Sequence, residues 1–524
     1  MPDQHNGPDP GEFFPQDVDG LSDAQPSRAV ALADGEAFVL RIGPVRKNIA
    51  GTHVRMLAYN GSIPGPLLRV QQGTTVTVEV TNDADLDQTI HWHGLRLDNR
   101  FDGVPHQTQE PIATGGRFTY ELQFPDPGLY WYHPHIREDY SQEMGLYGQI
   151  IVEPTEPEYW PRVNREIALT LDDVLLENDH IPVFRRSGPT HTMMGRFGNV
   201  LLVAGETDPS CEVTQGEVVR LLLTNTANTR VFNVVLPGAE LKLVGGDSGR
   251  YEHEEMIDSV IVSPSERAIV DVLFNRPGTA VLKHRTPQDT YPLATFHVHS
   301  GFASPSHSDA YHELRSDQSL LAERDALAGY RDRTPDKTLQ FVGEMHMSDM
   351  HMGSMEHHDH SMSGTNDHGM GDHGMEDDHH ADPGDDGIEW EDTMAEMNVA
   401  SDLSNMTWKI IDAATGMAND EIFWKLRVGD RVKICLDNSV PSDHPMHHPF
   451  HIHGGGRFLV LDRDGVPESN LVWKDTVLVR AGEVVNIVFD VTNPGRWMAH
   501  CHIAEHSESG MMFNFEVDAA TRPE

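Results

Sequence analysis

Apolar and polar residues alternate in short runs along almost the whole chain, and the runs come in threes. "VQQGTTVTVEVTN" (70–82), "VTQGEVVRLLLTN" (213–225) and "LRVGDRVKICLDN" (426–438) each hold a turn glycine, an alternating stretch and a closing asparagine at one shared separation. A period of two belongs to a strand with one buried face. A second element recurs as "GGRFTYELQFPDPGLYWYHPH" (115–135), "SERAIVDVLFNRPGTAVLKHR" (265–285) and "GEVVNIVFDVTNPGRWMAHCH" (482–502). Each copy is an alternating strand, a Pro-Gly turn and a short final strand. Repeats this far apart mark tandem domains rather than a solenoid. Short strands punctuated by Pro and Gly, with little helical periodicity, predict an all-β chain of consecutive sandwiches. The boundaries expected are a flexible acidic N-terminal segment over 1–29, sandwiches over 30–155, 156–300 and 335–524, and a linker over 301–334. A length of 524 residues also suits about three domains.

Composition narrows the partners. A formal net charge of −43 excludes nucleic acid and anionic membranes as favourable partners. No apolar run approaches the ~20 residues of a membrane span. Basic residues are mostly Arg, a pattern shared by halophiles, high-GC genomes and secreted proteins. The opening "MPDQHNGPDPGEFF" has no basic n-region and no apolar h-region, so no signal peptide is visible. Three cysteines cannot build a disulfide scaffold. Cys211 and Cys435 lie in strand-like runs and are expected as small buried core residues; Cys501 sits among metal-ligand types.

Comparing the repeats locates the chemistry. Five residues after the glycine of the Pro-Gly turn, the first domain has His133, the third His500 and the second Lys283. Two residues on come His135, His502 and Arg285. The earlier element continues into "HWHG" (91–94) in the first domain and "HPFHIHG" (448–454) in the third, but into "TRVFNVVLPG" in the second. Residues i and i+2 of a strand share a face. The pairs His91/His93, His133/His135, His451/His453 and His500/His502 therefore each aim two imidazoles one way, and imidazoles in such number suit several borderline metal ions. A lone H-x-H is weak evidence, so His297 and His299 in the second domain are read as structural. Cys501 points to the opposite face from its neighbours His500 and His502. Two histidines, a thiolate and a long axial methionine form a blue-copper electron-transfer set. His448, Cys501, His506 and Met511 supply it, and one strand then connects two metal sites.

The motifs HWHG, HPH (133–135), HPFHIHG and HCHIAEHSESGM (500–511), in this order, resemble those of three-domain multicopper oxidases of the laccase type, with bacterial and archaeal members nearest. The resemblance covers nearly the whole chain. It implies three cupredoxin-like Greek-key sandwiches and four copper ions. His448, Cys501, His506 and Met511 would hold the type-1 copper, and His91 and His451 the type-2 copper. His93, His133 and His502 would hold one type-3 copper, and His135, His453 and His500 the other. Substrate would be oxidised one electron at a time and O2 reduced to water. Proton supply calls for carboxylates near the cluster. Asp102 in "RFDGVP" matches the family's acidic residue near the type-2 copper. The family's second carboxylate directly follows the last type-1 histidine; here that place is Ser507, with Glu508 one residue on as a substitute. The resemblance also implies a secreted, periplasmic or cell-surface location, with the cytoplasm as the alternative that the missing signal keeps open.

"EMHMSDMHMGSMEHHDHSMSGTNDHGMGDHGMEDDHH" (344–380) opens an insertion over 344–387 in the third domain. It has almost no bulky apolar residues and cannot bury a core. Thioethers favour Cu(I) while imidazoles accept either copper state. Met345, Met347, Met350, Met352, Met355, Met362, Met370 and Met375 are accessory Cu(I) ligand candidates, and similar segments occur in family members that oxidise cuprous ions. The expected donors are Cu(I), phenols and aromatic amines, or both. The competing class is a copper storage or delivery protein without turnover. A two-domain nitrite reductase fits less well, since it lacks four paired histidine motifs.

Overall fold

The computed structural model describes residues 12–346 and 386–520. Six sheets pair into three sandwiches. Sheets of five and four strands form the first, and sheets of six and five strands form each of the others. Sheet neighbours are rarely sequence neighbours: in the last sheet the order is Trp424–Arg427, Met512–Asp518, Gly495–Cys501, His448–Ile452, Thr476–Val479. Such crossovers make the Greek-key arrangement of cupredoxin-like domains. Each sandwich closes over its own apolar core. The predicted alternation is the cause. In Thr75–Asn82 buried and half-buried positions alternate strictly. Among the described residues no helix is long and apolar enough to cross a membrane.

The closing asparagine of the first repeat has the same task in every domain. Asn82 Nδ2 donates to the carbonyls of Leu86 (2.9 Å) and Ile112 (2.8 Å). Asn225 Nδ2 reaches those of Arg230 (2.7 Å) and Val262 (2.8 Å). Asn438 Nδ2 reaches those of Met446 (2.7 Å) and Arg480 (2.9 Å). Each ties a strand end to the loop entering the next strand, and so satisfies carbonyls that would otherwise be buried unpaired. In the third domain that loop leads straight into His448.

Two expectations are corrected, for 1–29 and for the two cysteines, and the linker is structured. The stretch 1–29 was expected as flexible, yet its described part is docked. Phe14 is buried and stacks on Tyr140 at 3.8 Å, and its amide donates to the Phe184 carbonyl. The linker 301–334 carries the helix Gln318–Arg331, capped by Asp317. Its Leu320 and Leu327 pack on Leu459 and Leu461 of the third sandwich, while Arg324 pairs with Glu252 of the second. The linker thus bolts two domains together. Cys211 and Cys435 do lie on strands, but on faces only partly covered, so both are half-buried.

Candidate metal centre

Two strand pairs, one from each terminal sandwich, meet face to face. In the first, Ile90–His93 runs antiparallel to Gly128–Pro134 with His91 opposite His133. In the third, His448–Ile452 runs antiparallel to Gly495–Cys501 with His451 opposite His500 and Phe450 opposite Cys501. The eight histidines of the four pairs are all buried. His93 stacks on His451 at 3.8 Å, and His91 lies 3.9 Å from His453, centroid to centroid. The rings of His93, His133 and His502 stand 5.7, 5.0 and 5.1 Å apart. Those of His135, His453 and His500 stand 5.2, 5.3 and 5.2 Å apart. Ring nitrogens of His135, His453 and His500 all lie within 4.8 Å of one another, as do those of His91, His451 and His453.

Outer hydrogen bonds fix which nitrogen each ring turns inward. His91 Nδ1 donates to the Asp102 carbonyl (2.8 Å), His133 Nδ1 to that of Pro134 (2.8 Å) and His451 Nδ1 to that of Asp475 (2.8 Å). His135 Nδ1 pairs with Glu138 Oε1 at 3.0 Å. These four rings leave Nε2 buried without a partner. His93 is reversed: Nε2 donates to Asp475 Oδ1 (2.9 Å) and Nδ1 is the unpartnered atom. Both nitrogens of His502 are unpartnered. Burial pushes His453 down to about 3 and His502 to about 4; it lowers His135 too, but Glu138 outweighs that and raises this one ring. Neutral imidazoles with inward, unsatisfied nitrogens fit a metal cluster, whose ligands must be deprotonated.

Cys501 faces away from this cluster into the core of the third sandwich. Its Sγ lies 3.5 Å from His448 Nδ1 and 3.7 Å from His506 Nδ1, and the Ile503 amide points at it from 3.5 Å. Met511 is fully buried beside it, and its carbonyl accepts from the Cys501 amide at 3.1 Å. Burial pushes the thiol well above its ordinary range. Among the described residues no cationic side chain counters this, so a thiolate here calls for a metal ion. The Cys501 carbonyl also accepts from His500 Nδ1 at 2.9 Å, so thiol and cluster share one strand and a hydrogen bond.

The carboxylates fall differently from expectation. Asp102 is buried; its Oδ2 accepts from His453 Nδ1 at 2.9 Å. Burial raises its pKa, but His453 and His91 outweigh that and hold it well below the usual carboxylate range. Glu508 bonds no cluster imidazole among the described residues. Its Oε1 accepts from the Glu138 amide at 2.8 Å. Burial, then Asp139 and Glu138, push it up to about 8. Ser507 Oγ stands 3.4 Å from His500 Nδ1. Two carboxylates escaped the sequence reading. Glu138 lies three residues beyond His135, a spacing that could have flagged it. Asp475 had no local signal. Burial raises the Asp475 pKa, but Arg267 prevails and holds it at about 2. In the second domain Lys283 is half-buried, Arg285 exposed, and His299 pairs with Glu212 at the surface. Of the methionine candidates Met345 ends a strand; the other seven lie outside the described residues.

The glycine of HWHG is required by this packing. Gly94 has φ +84°, and an added Cβ would stand 2.4 Å from Asp475 Oδ2 and 2.8 Å from Arg267 Nη2. Gly94→Ala is expected to cost at least about 1–3 kcal/mol, the range for a strained backbone position. An unchanged urea midpoint would contradict this.

Sequence profiles described as multicopper oxidase match residues 42–157 and 392–521. Multicopper oxidase MmcO of Mycobacterium tuberculosis is 25% identical over 497 residues, covering 89% of this chain and 84% of its own. A copper resistance protein A homolog of Pseudomonas syringae pv. tomato is 26% identical over 570 residues, covering 92% of each. The crystal structure of a multi-copper oxidase from Pseudomonas thermotolerans aligns with a TM-score of 0.66 at 25% identity, over 93% of this chain and 100% of that one. The chain belongs to the multicopper oxidases, of the laccase type, and is a copper-dependent oxidoreductase.

Proposed function

We propose that this oxidase holds four copper ions and couples oxidation of Cu(I), and of phenolic or aromatic amine donors, to reduction of O2. The observation that carries the reading is the strand Gly495–Cys501: its thiol faces one histidine set while the flanking imidazoles face the other. His448, Cys501, His506 and Met511 would hold the type-1 ion and His91 with His451 the type-2 ion. His93, His133 and His502 would hold one type-3 ion; His135, His453 and His500 would hold its partner. Bound there, copper supplies one-electron oxidation at the thiolate site and four-electron reduction of O2 to water at the cluster. The protein's own part is orientation. Asp102, Glu138 and Asp475 fix the rings of His453, His135 and His93, and burial excludes bulk water.

Cu(I) as a donor is supported by where the Met/His insertion is tied down. On its departing side the Met345 amide donates to Asp443 Oδ2 at 3.0 Å. On its returning side the Glu389 amide donates to His447 Nδ1 at 3.1 Å. Both anchors sit in the segment that leads into His448, so cuprous ions held by the insertion would be released beside the thiolate site. The copper resistance relative points the same way.

Replacing 347–385 by a short Gly/Ser linker is expected to lower Cu(I) oxidation roughly tenfold, the loss of a tethered donor's local concentration. Turnover of a bulky phenol should stay or rise. Oxygen uptake with each donor measures both, and the reverse pattern rejects the role. Absence of sustained oxygen uptake with either donor, in copper-loaded protein, would favour the storage reading instead.

A further inference from the structure

One buried cation reaches the candidate cluster from the sandwich that contributes no histidine to it. Arg267 opens the strand Arg267–Phe274 of the second domain, and its side chain is fully buried. Its guanidinium touches all three domains. Nε donates to the carbonyl of Leu129, on the first domain's His133 strand, at 2.9 Å. Nη1 donates to the Ser265 carbonyl of its own domain at 2.9 Å. Nη1 and Nη2 together grip Asp475 of the third domain, at 2.7 Å to Oδ1 and 2.5 Å to Oδ2.

Asp475 in turn sets two rings. Its Oδ1 accepts from His93 Nε2 at 2.9 Å, and its carbonyl accepts from His451 Nδ1 at 2.8 Å. His93 is thus the ring turned opposite to its neighbours, with Nδ1 inward, and the carboxylate turns it together with the Thr476 hydroxyl, 3.0 Å from the same Nε2. A cation on the far side of a buried carboxylate offsets its burial and holds it ionised in one plane. A two-pronged guanidinium fixes charge and plane together, which a lone ammonium cannot do. Gly94, in the same HWHG turn as His93, leaves the space that the Arg267–Asp475 pair fills.

We propose that Arg267 is a positioning residue for the histidine cluster: through Asp475 it makes His93 offer Nδ1 and His451 offer Nε2 to the metal. The second sandwich is then part of the cluster's outer shell and not a spacer alone. This rests on the copper assignment proposed above.

The test compares copper-loaded wild type, Arg267→Lys and Arg267→Gln in the full chain. The readouts are copper affinity by chelator competition, the type-2 electron paramagnetic resonance signal, blue absorbance and melting temperature. Both variants are expected to keep the blue absorbance of the Cys501 site. At the cluster they should bind copper about 10–100-fold more weakly, the usual effect of losing an outer-shell partner. Their type-2 signal should shift, with Lys recovering part of what Gln loses. Lys keeps the buried charge, so Arg267→Lys carries the test if Arg267→Gln does not fold. Unchanged cluster affinity and type-2 signal in the variants would overturn the proposal. So would parallel loss of both sites in step with melting temperature, which marks a purely structural key. A wild type that itself lacks a type-2 signal when fully loaded would sink the copper assignment instead.

Discussion

Cys501→Ser is expected to abolish oxidase turnover, by about 10⁴-fold or more, the scale for removing a group that acts as part of a unit. The exchange is nearly isosteric, and the thiol is fully enclosed by the third core, so no large cavity opens. The strand register around it depends on backbone pairing with Phe450 and on the carbonyl bond to His500 Nδ1, neither of which uses sulfur. Fold and histidine cluster should therefore survive. What is lost is the thiolate, the soft ligand that His448 and His506 flank at 3.5 and 3.7 Å. A buried serine hydroxyl does not ionise in its place. The variant should be colourless, with cluster copper retained and oxygen uptake at background for every donor. Residual blue absorbance, or uptake within a few-fold of wild type, would show that the electron-accepting site lies elsewhere.

The parts of this site that could be read from sequence are those governed by short-range geometry. His91/His93 and His500/His502 announce themselves because a strand repeats every two residues. Cys501 stands out because it takes the opposite face of that strand. Comparing domains removed Lys283 and Arg285, which the structure leaves half-buried and exposed on a strand of the second sandwich, while the cluster histidines are buried. What was not legible depends on contacts between distant segments. Arg267 and Asp475 are 208 positions apart, and each alone looks like an ordinary strand-end charge. Glu508 sat closest in sequence to the expected proton donor, but the short helix Ala504–Glu508 turns it toward the Glu138 amide. The carboxylate that meets a cluster ring there is Glu138. Periodicity likewise placed Cys211 and Cys435 on strands but not on the covered face. A period of two divides the faces; only the packing of the other sheet says which one is covered.

Removing copper should cost the protein stability as well as activity, and the apo form should be the acid-labile one. Without metal the inward nitrogens of His91, His93, His133, His135, His451 and His502 are buried donors or acceptors with no partner. Each such group costs about 1–3 kcal/mol. Metal that binds only the folded state adds about 4 kcal/mol per site when free copper exceeds Kd a thousandfold. Spread over a chain this long, several sites should still raise the melting temperature by roughly 10 °C or more. The pH dependence follows from the direction of the shifts. Burial holds His502 at about 4 and His453 at about 3 in the folded apo protein. In the unfolded chain the same rings titrate at about 6.5. Below that value the unfolded chain binds more protons than the folded one, so apo stability is full above about 6.5 and falls as pH drops toward 4 and 3. Copper opposes this, since protonation then has to compete with the metal for the same nitrogens. Calorimetry of chelator-treated and reloaded protein between pH 7.5 and 4.5 should therefore show two melting curves that diverge with acid. Coincident curves at every pH would mean that the buried imidazoles do not hold the metal.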